Sequence, residues 1–259
     1  MKRTVERTMK RTLLSILFLL LFAVPSFART IYVVAVGICD YQHIRDLKKA
    51  ENDAKSVAEL YLTHTKQVTT LLGAQATHDR ILSTLRTIFS KASEDDTVVF
   101  FFSGHGSKGG LCAYDTKNDK TILTYAEVQR VIRSCKAENK QLFIDACFSG
   151  GLRDHKKSAQ TTAARSPISD TEGIMLFLSS RTGETSQENR WADYGFFTQY
   201  LVKGIKGAAD SNADRIITAK ELFTFVSAKV SERTNKKQNP VMWGKFNDDM
   251  HIMNWNPKR

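Results

Sequence analysis

The feature that most narrows what this chain can become is a repeated exchange of two periodicities, in which short β-branched apolar runs alternate with stretches whose apolar residues recur at helical spacing. Ile31 to Ile38 reads as a first strand, and Ala50 to Leu62, with Ala54, Val57, Ala58 and Tyr61 on one face, reads as a helix. Gln67 to Leu72 and Asp79 to Ser90 repeat the pair, the second helix carrying Ile81, Leu82, Leu85 and Ile88. A third strand is predicted from Thr97 to Phe102. Val98 to Phe102 is apolar at every position, as a central strand buried on both faces requires. Leu111 to Tyr114 is a short apolar piece, followed by a helix from Tyr125 to Ser134 and strands at Gln141 to Ala146 and Ile174 to Leu178. Helical stretches follow at 196–206 and 219–230, and the tail from Asn239 to Trp255 reads as a final strand or hairpin. This order predicts an α/β, three-layer fold with a mostly parallel sheet and helices on both faces.

Two regions stand outside that rhythm. Residues 1–28 have the layout of a signal peptide: Lys2, Arg3, Arg7, Lys10 and Arg11, then an apolar run from Leu13 to Val24 broken only by Ser15, then Ser26-Phe27-Ala28. The run is short for a bilayer span, so cleavage after Ala28 is expected, with a permanent N-terminal anchor as the alternative. The remaining residues 29–259 suit one large domain, exported to the periplasm or medium, with no stable membrane insertion after cleavage. Gly150 to Asp170 is rich in Ser, Thr, Ala, Lys and Arg without apolar periodicity, and the 150–170 stretch is expected to be an exposed linker loop.

Charge and cysteines exclude several classes. Removing five basic residues and one acid with the leader takes the formal charge from +11 to +7. No basic motif interleaved with aromatics accompanies this excess, so nucleic acid is not an expected partner. Cys39, Cys112, Cys135 and Cys147 lie far apart without a Cys-x-x-Cys pair, against a zinc site or a disulfide scaffold. One disulfide among Cys39, Cys112 and Cys135 remains open at this stage.

The chemistry is carried by two motifs placed after two apolar strands. Ser103-Gly104-His105-Gly106 follows Val98 to Phe102, and Asp145-Ala146-Cys147-Phe148-Ser149-Gly150-Gly151 follows Gln141 to Ile144. The carboxyl edge of an open parallel sheet is where ligands bind, so a His and a Cys delivered there by neighbouring strands can share one crevice. A thiolate needs a base or cation beside it at neutral pH, and imidazole is the natural partner. Glycines on either side let substrate backbone approach closely.

These blocks resemble those of the caspase and metacaspase clan in order, in strand context and in a His-to-Cys spacing of 42 residues. Caspases place Gln-Ala-Cys about 50 residues after the His. Asp145 in place of that Gln is similar to metacaspases, as is Asn52-Asp53-Ala54 near the mature N-terminus. The resemblance implies a caspase-like fold and a cysteine endopeptidase using a His105–Cys147 dyad through an acyl-enzyme. Gly106 and Cys147 would supply oxyanion amides, and Asp53, Asp145 and Ser103 a pocket for Arg or Lys before the scissile bond. Ser179-Ser180-Arg181 with Glu184 and Glu188, then Gly195-Phe196-Phe197-Thr198, resembles the segment that completes the substrate cleft, with Trp191 a further candidate to face a side chain. Basic specificity would make Arg153, Lys156, Lys157 and Arg165 points of self-processing in the 153–165 loop.

No cofactor is required for such chemistry, but calcium is an open expectation. Asp210, Asn212, Asp214, Thr218 and Glu221 fall at the oxygen-ligand spacing of an EF-hand loop, with Arg215 where that loop needs glycine. The alternative is a polar turn ahead of a helix. Three rival functions are weighed: a catalytically silent caspase-like peptide-binding module, a clostripain or gingipain relative, and a nucleotide-binding doubly wound protein. The last lacks a Gly-x-Gly-x-x-Gly or Walker loop after its first strand.

Overall fold

The computed structural model describes residues 29–107, 109–147, 173–180 and 194–256. Its main sheet runs in the order β2-β1-β3-β6-β7-β9, from β1 (Ile31–Gly37), β2 (Val68–Leu72), β3 (Thr97–Ser107), β6 (Asn139–Cys147), β7 (Ile174–Leu178) and β9 (Val241–Lys245). All neighbours on this path are parallel except the edge pair of β7 with β9. The short strands β4 (Gly110–Leu111) and β5 (Leu123–Thr124) extend β3 antiparallel at its carboxyl end.

Alternation along the strands separates two cores. Val34, Val36, Phe100, Phe102, Leu142 and Ile144 face α2 (His78–Phe89) and α3 (Tyr125–Ser134), whose Ile81, Leu85, Val128 and Ile132 are buried against them. Val33, Ala35, Val99, Phe101, Phe143 and Phe177 face α1 (Ala50–Leu62), α4 (Phe196–Lys203) and α5 (Ala219–Arg233). On that second face Phe177 meets Phe197 at 5.0 Å and Phe223 at 5.7 Å between ring centroids, both edge to face, the arrangement favoured by ring quadrupoles. This three-layer arrangement is the α/β class predicted above.

Local chemistry explains where the helices start. Thr124 with Glu127 and Thr218 with Glu221 form capping boxes at α3 and α5, and the Thr77 side chain caps α2. α1 starts hard against the end of β1. A Cβ at Gly37 would stand 2.3 Å from the Ala50 carbonyl oxygen, so only glycine lets this helix seat with its first turn on the strand end.

The structure departs from the sequence expectations in three places. Strand β3 runs on through Ser103–Ser107 and β6 to Cys147, so Ser103–Gly106 and Asp145–Cys147 are strand residues, while Phe148 to Gly151 of the second motif lie outside the described residues. Ladder pairing holds both glycines in the strand, Gly104 through β6 and Gly106 through β4. The tail divides between two sheets: β9 joins β7, whereas β10 (His251–Asn254) pairs antiparallel with β8 (Ile216–Thr218) in a separate two-stranded sheet. Helix α4 ends at Lys203 and is continued to Ala208 by a wider π turn, with Gly207 at φ 116°. Among the described residues no helix is long and apolar enough to cross a membrane.

Candidate active site

The site is assembled from the last rungs of one ladder. Ser103 pairs in register with Asp145, Gly104 with Ala146, and His105 with Cys147. Neighbouring strands lie about 4.8 Å apart, so the backbone of β3 and β6 alone brings His105 and Cys147 together at the carboxyl edge of the sheet. Gly106 follows as the register partner of Leu111 in β4.

His105 is 7% exposed, and its ring is fixed by a partner with no side-chain signature in the sequence. Nε2 lies 2.7 Å from the main-chain carbonyl oxygen of Arg45, in the loop after β1. A carbonyl only accepts, so Nε2 carries the hydrogen and the neutral ring keeps its lone pair on Nδ1. Burial pushes the His105 pKa below its ordinary value of 6.5, against the opposing pull of the Arg45 carbonyl. The imidazole is therefore neutral at pH 7, the form a base requires. Arg45 is what sequence reasoning missed, because every residue has a carbonyl and none advertises where it points.

Beside this pair, two carboxylates meet. Asp53, in the first turn of α1 and 3% exposed, accepts the Ser103 hydroxyl on Oδ2 at 2.9 Å and the Gly195 amide on Oδ1 at 2.9 Å. Asp145, 7% exposed, accepts the Thr198 hydroxyl on Oδ2 at 3.0 Å. The position a Cβ would take on Gly195 is 3.1 Å from Asp145 Oδ2 and 3.5 Å from Asp53 Oδ2, so both acids border one point above the start of α4. The positive end of α4 favours negative charge there. Asp53, Ser103 and Asp145, singled out from the sequence together, stand together.

Ser179 and Ser180 follow β7 and are fully buried. The Ser179 amide donates to the Ile144 carbonyl, and its own carbonyl accepts from Gln238 Nε2 at 2.9 Å, which ties the edge of the site to the chain ahead of β9. The Ser180 hydroxyl oxygen is buried without a hydrogen-bond partner among the described residues. Cys39, Cys112 and Cys135 are free thiols, and burial raises the pKa of each.

The 210–221 loop lies elsewhere, ahead of α5. Arg215 takes φ 66° and donates its amide to Asp210 Oδ2, so the left-handed turn forms without glycine. Asp214 Oδ1 accepts from the Ile216 amide, and the Asn212 side chain donates to Asp214 Oδ2. Glu221 gives Oε1 to Ser211 and Oε2 to Thr218. Among the described residues no group of three His, Cys, Asp or Glu side chains is arranged to hold a metal ion. Most of the loop's oxygens serve its own amides and hydroxyls, whereas Asp210 Oδ1 is buried with no hydrogen-bond partner among the described residues. The leader, the 153–165 processing points, Arg181, Glu184, Glu188 and Trp191 lie outside the described residues.

Comparison with known proteins agrees with the geometry. A family model for the caspase domain, Peptidase_C14, matches residues 31–251. The chain belongs to this caspase-domain family of peptidases. Its fold is similar to that of the protein GSU0716 from Geobacter sulfurreducens, with TM-score 0.63 and 16% identity over 85% of this chain and 95% of that one. Caspase-1 from Spodoptera frugiperda is similar at TM-score 0.61 and 16% identity, over 85% of this chain and 88% of that one. No curated protein sequence matches.

Proposed function

We propose that this protein is an exported cysteine endopeptidase of the metacaspase type that cuts peptide bonds after Arg or Lys. Cys147 attacks the scissile carbonyl while His105 Nδ1 takes the thiol proton and later delivers it to the leaving amine, and water then releases the acyl-enzyme. The Gly106 and Cys147 amides are the proposed donors to the oxyanion. Asp53 and Asp145, with Ser103, receive the basic side chain before the scissile bond, and Ser179 and Ser180 flank it.

The observation that carries this reading is the convergence of two buried carboxylates on Gly195 beside the His105–Cys147 register pair. Two like charges at one buried point favour a cationic side chain and repel an acidic one. The test compares fluorogenic peptides ending in Arg, Lys and Asp with wild type, Cys147→Ala and Asp145→Ala. Turnover of the basic substrates, lost in the first variant and no longer selective in the second, is expected. Turnover surviving in Cys147→Ala, or a preference for Asp, would overturn it.

Self-processing in the 153–165 loop and export after cleavage at Ala28 complete the proposal. Purified wild type should separate into two fragments while Cys147→Ala stays intact, and the N-terminal residue of exported protein should be Arg29. A fragmented Cys147→Ala protein from a protease-deficient host would remove autolysis from the account.

A further inference from the structure

His105 is held from a second side, by a residue that neither the dyad nor the acidic pocket uses. Tyr41 lies in the same loop as Arg45 and is 8% exposed. Its Oη accepts the His105 main-chain amide at 2.7 Å, and the two rings lie 5.1 Å apart between centroids at 43°. A Cβ at Gly104 would stand 2.6 Å from this oxygen, so the glycine before His105 is what admits the phenol to the strand. The loop is closed on itself as well: the Tyr41 amide donates to Asp46 Oδ1 at 2.9 Å. A single turn from Tyr41 to Asp46 therefore grips His105 at two points, the amide through Tyr41 Oη and the ring through the Arg45 carbonyl.

We infer that Tyr41 is a positioning residue for His105, acting with Asp46 as a clamp that sets the imidazole against Cys147. The physical basis is that β3 leaves its parallel neighbours here. His105 is in the last register pair of β3 with β6 and lies beyond the last pair with β1, whose place at the strand is taken by this loop. Without Tyr41 Oη the His105 amide loses its acceptor, and the ring keeps its hydrogen bond to the Arg45 carbonyl and its packing on the Tyr41 ring while its backbone anchor is loosened. A displacement of about 1 Å in a proton-transferring group costs on the order of a hundredfold in rate, so a modest loosening is enough to be read in kcat. The hydroxyl acts on His105 without touching substrate, so substrate binding in the Asp53–Asp145 pocket is left alone.

This inference rests on the proposed dyad. The experiment measures kcat and KM on an arginyl substrate at the pH plateau, per active site titrated with an irreversible arginyl electrophile, for wild type, Tyr41→Phe, Asp46→Ala, His105→Ala and Cys147→Ala. Tyr41→Phe should lower kcat by about tenfold or more with KM within about twofold. Asp46→Ala, at an exposed position, should lower it less, by about threefold. If Tyr41→Phe fails to fold, Asp46→Ala decides. Wild-type kcat per titrated site in the folded variants, with only melting temperature or titratable fraction reduced, would mean a purely structural role and overturn the inference. Activity in His105→Ala or Cys147→Ala would instead remove the dyad and this inference with it.

Discussion

Asp53 and Asp145 arrive from different layers, one from a helix and one from a central strand, yet both border the space above Gly195. Asp53 is linked to the strand side as well, because Ser103, the register partner of Asp145, donates to it. Neutralising either acid should weaken binding of a basic side chain. Asp53→Asn and Asp145→Asn are each expected to reduce kcat/KM on arginyl substrates by about 30-fold to 5,000-fold, the range for removing one partner of a desolvated charge pair. Steady-state kinetics on Arg and uncharged substrates check it, the latter changing little.

The pH profile should report His105. Burial holds its pKa below 6.5, so the neutral base persists as the medium becomes mildly acidic. The acidic limb of kcat/KM is expected below pH 6.5, and a limb above that value would contradict the buried, neutral imidazole. The same shift bears on stability: the folded form binds this proton less readily than the unfolded chain. Its contribution is complete above 6.5 and is lost as pH falls through the lower folded value.

Glu221 gives a second pH signature, far from the dyad. Partial burial pushes its pKa up, but the combined donors from Ser211 and Thr218 outweigh it and bring the carboxyl to about 2, from an ordinary 4.5. A depressed acid stabilises the fold above its unfolded pKa and loses that contribution as pH falls toward the folded one. Glu221→Gln should melt below wild type at pH 7, and the gap should close on acidification through 4.5 toward 2. Thermal denaturation at several pH values reads this directly.

Phe177 is fully buried among Phe143, Phe197 and Phe223. Phe177→Ala removes the ring that joins the central sheet to α4 and α5, and is expected to cost about 3–5 kcal/mol of stability. Denaturant titration checks it. Because α4 carries Thr198 and is capped by Gly195, the variant should also raise KM for arginyl substrates more than it lowers kcat.

Much of this architecture is legible in the sequence. The bounds of α1, α3 and β7 match the periodicity, because apolar spacing and turn residues agree there. Ser103, Asp53 and Asp145 were named from motif and resemblance, and tertiary contacts bring them together. The continuation of β3 past Phe102 is not legible, since the glycines beside His105 carry no apolar pattern and only pairing with β6 and β4 holds them in the strand. The three residues of β8 were too few for a period, and their partner in β10 lies far along the chain. Main-chain acceptors such as Arg45 leave no trace in composition at all.

The pairing of β3 with β6 as far as His105 and Cys147, rather than stopping before them, has a mechanical consequence. Groups mounted on a loop can be moved into place by a ligand, whereas groups mounted on paired strands inherit the stiffness of the whole sheet. The spacing between these two backbone positions is thus preset, and what can vary is the surrounding frame: the turn at Tyr41–Asp46 on one side and the start of α4 on the other. Regulation of the proposed peptidase would then have to act on access and on ring orientation, leaving the distance between its two anchor points untouched.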